Sequence, residues 1–169
     1  MKKGHDEHHS ERIPIRRNRV DVRDLLTSTL EVLSEQGKGA GIGIHVSVDD
    51  DVPAEVPLDG VKVAWAVSTL VGNSLRYLGR SGRAGQIEVR ASMENESGAL
   101  IIAVRDNGPG IPASRASRLF EDAGALRSVG LALVLVRDVV AAHGGTIEVH
   151  SMTDQMDHGT RITLRIPAR

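Results

Sequence analysis

Apolar and polar positions recur with two different periods along this chain, and the changes of period mark out its elements. Val22, Leu25, Leu26, Leu30 and Leu33 return at helical spacing and the run stops at Gly37, which predicts a first helix. Ile42, Ile44, Val46 and Val48 then alternate with Gly43, His45 and Ser47, the signature of a half-buried strand. Three consecutive aspartates and two prolines predict a loop over residues 49–57. A second helix is expected over 59–78, with Asp59 as its N-cap, followed by a flexible connection over 79–85. Strands over 86–93 and 99–105, joined by a Glu-Asn-Glu-Ser-Gly turn, read as a hairpin. A Gly- and Pro-rich loop over 106–112 leads into a short helical segment toward Phe120. Residues 129–143 read as a third helix stopped by Gly144-Gly145, and strands over 146–151 and 160–166 complete the chain.

Helices and strands are therefore mixed, and the strands are largely sequential. The economical fold class is an α+β two-layer sandwich, a mixed, mostly antiparallel sheet with helices on one face. No internal repeat or second domain emerges. Residues 1–18 are expected to form a disordered polar tail and 19–169 a single domain.

Composition narrows the possible functions. With one Phe, one Tyr and one Trp, the core must be built from Leu, Val, Ile and Ala. The same scarcity argues against the stacking platforms that bind single-stranded nucleic acid. A net charge of -1 and a pI near 6.7 give no overall electrostatic reason to bind DNA or an anionic membrane, so no nucleic-acid partner is expected. The absence of cysteine excludes disulfides, thiol catalysis and Cys-type zinc sites. No apolar run is longer than that from Leu131 to Val136, which is stopped by Arg137 and Asp138. That is far short of a membrane span, so no membrane association of this chain is expected. The opening MKKGHDEHHSER lacks the apolar stretch of a signal peptide, which leaves a cytoplasmic location as the expectation.

Four segments can carry chemistry. DNGPGIP, residues 106–112, follows the apolar strand LIIAV and brings bare backbone close to something. Asp106, at the strand end, could accept a hydrogen bond from an exocyclic amine such as that of adenine, or serve as the structural Asp of a turn. SVGLALV, residues 128–134, opens a helix whose free N–H groups and dipole suit phosphate oxygens, with Gly130 allowing close approach. A plainly capped helix with an apolar stripe explains the same residues. In TLVGNSLRYL, residues 69–78, Asn73 interrupts an apolar surface and Arg76 lies on the same face. An amide oxygen suits Mg²⁺ when phosphates supply the charge, and Arg76 can neutralise phosphate, although an interior Asn bonded to backbone is the alternative. AHGGTIEVHS and HGTRITLRIP look structural, with Thr160 a possible lining residue of a base pocket.

In this order the four segments resemble the ATP-binding catalytic domain of bacterial sensor histidine kinases, within the gyrase, Hsp90, histidine kinase and MutL superfamily. The resemblance covers about 20–167. It implies a Bergerat sandwich that binds ATP and Mg²⁺. Asn73 falls on the family's Mg²⁺-binding asparagine and Arg76 on its basic phosphate contact, with Tyr77 beside it. Asp106 falls on the adenine-recognising aspartate, and Gly108, Gly110 and Ile111 fall in the loop beside the base. Phe120 matches the residue that opens the mobile lid. Ser128, Val129, Gly130 and Leu131 fall on the box that closes it, and Thr160 lies near the adenine. No residue stands out as catalytic in its own right.

The departures are informative. Only nine residues separate Phe120 from Gly130, a short lid, and Ser128 stands where the family has Gly. Thr69 occupies the position at which the superfamily's hydrolases place a glutamate, and threonine is no general base near neutral pH. The helical dimerisation domain with its phosphorylated histidine is not seen. His9, Arg12 and Pro14 echo its motif without the second long helix that should follow. HDEHH could grip a transition metal, and Arg12, Arg16, Arg17, Arg19 and Arg23 read as a solvated face or, less readily, as a dock for an acidic partner.

The expectation is an Mg-ATP-binding catalytic domain of a two-component histidine kinase, presenting the γ-phosphate to a histidine on another domain or chain. Its partner would be a histidine-containing dimerisation domain or a response regulator, and the chain itself a monomer. A degenerate kinase-like docking or phosphotransfer module is the alternative. An anti-sigma-factor-type serine kinase is a second alternative.

Overall fold

The computed structural model describes residues 13–82, 84–119, 130–154 and 158–169, and of Leu131 the backbone alone. Its first element is a three-residue strand, β1 (Asn18–Val20), followed by helix α1 (Val22–Gly39). The Asp21 carboxylate caps α1 by accepting from the Asp24 N–H at 3.0 Å. Gly37, the expected stop, lies inside the helix. A Cβ there would sit 2.7 Å from the Ile42 carbonyl oxygen, so glycine lets α1 close onto the next strand.

That strand, β2 (Ile42–Val48), leads to a short β3 (Val56–Leu58) and to helix α2 (Gly60–Ser81). Asp59 is the α2 N-cap, accepting from the Lys62 N–H at 3.2 Å. The helix ends on Gly82 in the left-handed region. The flexible connection expected over 79–85 is corrected at both ends: α2 runs on through Gly79 to Ser81, and β4 (Gly85–Met93) begins at once. β5 (Ala99–Asp106) returns as the other arm of the expected hairpin. A one-turn helix, α3 (Ala113–Ala116), precedes α4 (Gly130–Ala142), and β6 (Thr146–Thr153) and β7 (His158–Pro167) close the chain.

Five strands form one sheet in the order β2-β4-β5-β7-β6. Every pairing is antiparallel except β2 with β4, where α2 provides the crossover between parallel strands. The architecture is the expected mixed, mostly antiparallel sheet with helices on one face. Leu26 and Leu30 of α1, Val67, Leu70 and Val71 of α2, and Val136 and Val140 of α4 pack against Ile87, Val89, Ile102, Leu100 and Leu164 of the sheet, all at most 1% exposed.

Two sequence expectations need correction here. Residues 56–58 are not loop but β3, antiparallel to β1, with Asn18 opposite Leu58 and Val20 opposite Val56. Within the expected polar tail, residues 13–18 are placed: Ile13 packs on the core, and residues 1–12, including His9, Arg12 and HDEHH, lie outside the described residues. Arg16, Arg17, Arg19 and Arg23 are exposed, as a solvated face would be, and the side chains of three of them also make intramolecular contacts. Arg17 donates to the carbonyls of Pro57 (2.9 Å), Pro167 (2.9 Å) and His143 (2.7 Å). Arg19 pairs with Glu55, and Arg23 donates to the Val48 carbonyl.

The same end of the molecule holds a buried polar knot. The His143 Nδ1–H donates to the Val139 carbonyl at 2.8 Å, and its Nε2 accepts from the Asp59 N–H at 3.1 Å. Asp59 in turn accepts from the Arg16 N–H and the Lys62 ammonium. Burial alone would push the Asp59 carboxyl up, but the Arg16 N–H and then the Lys62 contacts outweigh it and bring it down to about 2. The N-terminal segment, the start of α2 and the end of α4 are thereby fastened together.

Candidate nucleotide site

At the other end of α2 a cleft of about 220 Å³ opens between α2, the 107–112 loop, α3 and the start of α4. Its walls are apolar, with Leu70, Val104, Ile111, Leu119, Leu133 and Ile162 facing inward. Polar groups converge at a few points, chiefly Asp106 and Thr160 from adjacent strands and Asn73 and Tyr77 from α2. An apolar cleft with a few placed polar groups is the usual form of a small-molecule site.

Asp106 ends β5 directly opposite Thr160 of β7. One carboxylate oxygen accepts from the Ser74 hydroxyl at 2.8 Å, the other from the Gly108 N–H at 2.9 Å. An ionised carboxylate has about four acceptor positions, so this one is oriented by its neighbours and can still accept from a ligand. Thr160, 8% exposed, lies 2.9 Å from the Ser151 hydroxyl. Ser151 donates to the Gly159 carbonyl and accepts from the Ile111 N–H at 2.6 Å. Either hydroxyl can be the donor between Ser151 and Thr160; with the Ser151 proton on the Gly159 carbonyl, Thr160 donates and its lone pairs are left to the cleft.

The 107–112 loop is held at several points by partners far away in sequence. Asn107 exchanges hydrogen bonds with the Gln86 backbone, the Gly108 carbonyl accepts from His158 Nδ1–H at 2.8 Å, and Ile111 is tied to Ser151. Gly110 has φ +76°, and a Cβ there would lie 2.0 Å from the Met152 carbonyl oxygen. Only glycine lets the loop pass so close to β6.

Asn73 is 8% exposed in the interior of α2. Its Oδ1 accepts from Arg76 at 3.0 Å, but its Nδ2 is buried with no hydrogen-bond partner among the described residues. A buried amide N–H without an acceptor is costly, and Asn73 is one of the residues that line the cleft.

The cleft therefore brings together Asn73, Tyr77, Asp106, Gly110, Ile111 and Thr160 of the residues singled out in the sequence. Arg76 does not line it and reaches it only through Asn73, and Gly108 supports Asp106 from behind. Gly130 begins α4, while Phe120, Ser128, Val129 and the Leu131 side chain lie outside the described residues. Sequence reasoning missed Ser74, Ser151, His158 and the cleft-lining Arg115. Of these, only Ser74, adjacent to Asn73, gave any local hint. Among the described residues no helix is long and apolar enough to cross a membrane.

Comparison with known proteins places this geometry in a family. Residues 58–169 match the model described as histidine kinase-, DNA gyrase B- and HSP90-like ATPase. The alginate biosynthesis sensor protein KinB of Pseudomonas aeruginosa is 31% identical over 151 residues, which are 87% of this chain and 24% of KinB. The chain thus spans about a quarter of the length of that relative. Among solved structures, full-length ShkA in complex with AMPPNP superposes with a TM-score of 0.80 at 25% identity, covering 92% of this chain and 32% of ShkA. The mycobacterial sensor histidine kinase MprB superposes with a TM-score of 0.74 at 26% identity, covering 91% of this chain and 99% of that structure. The sandwich, the cleft and these matches together show that the chain belongs to the histidine kinase-, DNA gyrase B- and HSP90-like ATPase family.

Proposed function

We propose that this chain binds Mg-ATP in the cleft and presents the γ-phosphate to a histidine on another domain or chain, as the catalytic domain of a two-component histidine kinase. The observation that carries the reading is the Asp106 carboxylate, fixed by Ser74 and the Gly108 N–H at the end of an apolar cleft. A purine amine donates to such a group, while a guanine carbonyl oxygen at the same position is repelled by it. A volume of about 220 Å³ is below the roughly 300–1,000 Å³ of pockets that enclose drug-sized ligands. The cleft is thus sized for the base, with the phosphates lying at its mouth.

The residues present fit the phosphates and the metal. The orphaned Asn73 Nδ2–H would donate to a phosphate oxygen, and the Oδ1 keeps a lone pair beyond the one given to Arg76. Arg115 and Arg76 add positive charge nearby. Bound Mg²⁺ supplies the charge that offsets repulsion between phosphate oxygens. The α4 N-terminus at Gly130 suits the phosphoryl tail. Transfer of this kind is mostly positioning and charge neutralisation, which asks for no general base on the chain itself. Thr69 is consistent with that: its hydroxyl is spent on the Trp65 carbonyl of its own helix at 2.8 Å. The partner would be a histidine-bearing dimerisation domain or a response regulator, met by a monomeric catalytic domain in the cytoplasm.

Calorimetric titration with a non-hydrolysable ATP analogue and Mg²⁺ tests this. One-to-one binding is expected, with the guanine analogue and the Asp106→Asn variant each weaker by about 10- to 100-fold, the worth of a hydrogen bond to a charged group. Absence of heat and of any melting shift would favour a docking module that no longer handles nucleotide.

A further inference from the structure

The open face of the sheet, away from the helices, carries charges that the nucleotide cleft does not use. Arg105 of β5, Arg161 of β7 and His150 of β6 are exposed there, and the strand register sets them side by side. Arg105 lies opposite Arg161, and Arg161 opposite His150. Like charges directly opposed on neighbouring strands, with Cβ atoms about 4.5–5.5 Å apart, destabilise a sheet. Elsewhere this surface neutralises its cations: Arg90 is paired with Asp49, and Arg165 with Glu94. Among the described residues neither Arg105 nor Arg161 has an ion-pair partner.

The row borders a notch of about 250 Å³, lined by both arginines, His150, Met152 and His158. His158 is held by its Nδ1–H on the Gly108 carbonyl, which leaves Nε2 available to the notch. Two flexible guanidinium forks and the His150 imidazole around one small concavity form a donor set for a phosphate-type anion, while His158 Nε2, whose ring proton sits on Nδ1, can accept from a protonated phosphate oxygen. The flanks are acidic, with Glu88 opposite Arg105 on β4 and Glu148 two residues before His150. A compact anion fits between them, whereas an extended acidic chain would run into them.

We propose that this notch is a second binding site, distinct from the nucleotide cleft, for a compact phosphate or pyrophosphate group. The site stands without the nucleotide reading, and it touches the cleft's machinery at two places. His158 anchors the 107–112 loop, and Thr160 borders both cavities.

The test uses the full chain without nucleotide. Inorganic phosphate, and separately pyrophosphate, is titrated at constant ionic strength while the histidine ring carbons and protons are followed by NMR. Saturable shifts are expected at His150 and His158 but not at His45 or His143. Arg105→Gln and Arg161→Gln should each weaken binding at least tenfold, and Arg161→Gln, which relieves a like-charge pair, should do so without lowering the melting temperature. Arg161→Lys, which keeps the charge but loses the fork, should weaken it less. Hexaglutamate should bind more weakly than pyrophosphate. Shifts that chloride reproduces, shifts that survive both glutamine substitutions, or tighter binding of hexaglutamate would each overturn the proposal.

Discussion

Asp106 shows what single residues contribute to this molecule. Its position in DNGPGIP announced a polar group at a strand end, and its neighbours complete the arrangement by taking one lone pair on each oxygen. Ser74→Ala removes one of those bonds while leaving the apolar wall intact. We expect a fall in nucleotide affinity of several fold, with a change in stability near 1 kcal/mol, the usual net worth of such a bond; calorimetry and thermal melting read the two separately. An unchanged affinity would show that the carboxylate needs no orienting partner. Asn73, Asp106, Gly110 and Ile111 were legible because their residue types are unusual for their local patterns: an amide in an apolar helix face, and a carboxylate, a glycine and an isoleucine in a glycine-proline loop. Ser151 and His158 were not, because their roles depend on contacts 40 and 50 residues away. Nothing in the alternation of β6 or β7 distinguishes them.

At the scale of elements, the long helices and the hairpin follow from periodicity and caps, whereas β1 and β3 escaped it. Three residues are too few to display a period, and Pro57 within β3 argues against a strand until its partner is known. Their pairing is secured instead by Arg17, whose side chain joins the ribbon to the end of α4 and to the last strand. Arg17→Ala frees three carbonyls that water can partly satisfy. A loss of about 1–3 kcal/mol is expected, which at about 2–4 °C per kcal/mol lowers the melting temperature by several degrees.

Asp59, the cap of α2, makes the same junction pH-sensitive. Its carboxyl lies at about 2 in the folded protein against an ordinary value of 3.8, so the folded state binds fewer protons than the unfolded state in between. The stability it contributes is fully present above the ordinary value and is lost as pH falls from there through about 2. The stability gap between the native protein and Asp59→Asn should therefore be widest near neutrality and close across that window. A gap that does not vary with pH would contradict the assignment.

For the whole molecule, alternation and helix placement were enough to anticipate a mixed sheet with helices on one face. The strand order was not readable, because alternation shows which face of a strand is buried but not which strand it pairs with, as in the placement of β7 between β5 and β6 and the parallel pairing of β2 with β4. That order brings Asp106 and Thr160 together and points α2 past them, so the Asp106–Thr160 end and the Asn73 end of one cleft, proposed to take the base and the metal, come from different parts of the chain. Replacing Mg²⁺ by paramagnetic Mn²⁺ in the presence of the ATP analogue, and following the loss of backbone amide signals, tests this division directly. The account predicts that signals around Asn73 vanish first while the Asp106–Gly108 amides shift with nucleotide but broaden less. Broadening centred on the Asp49–Asp51 loop, or an equal effect with no nucleotide present, would contradict it.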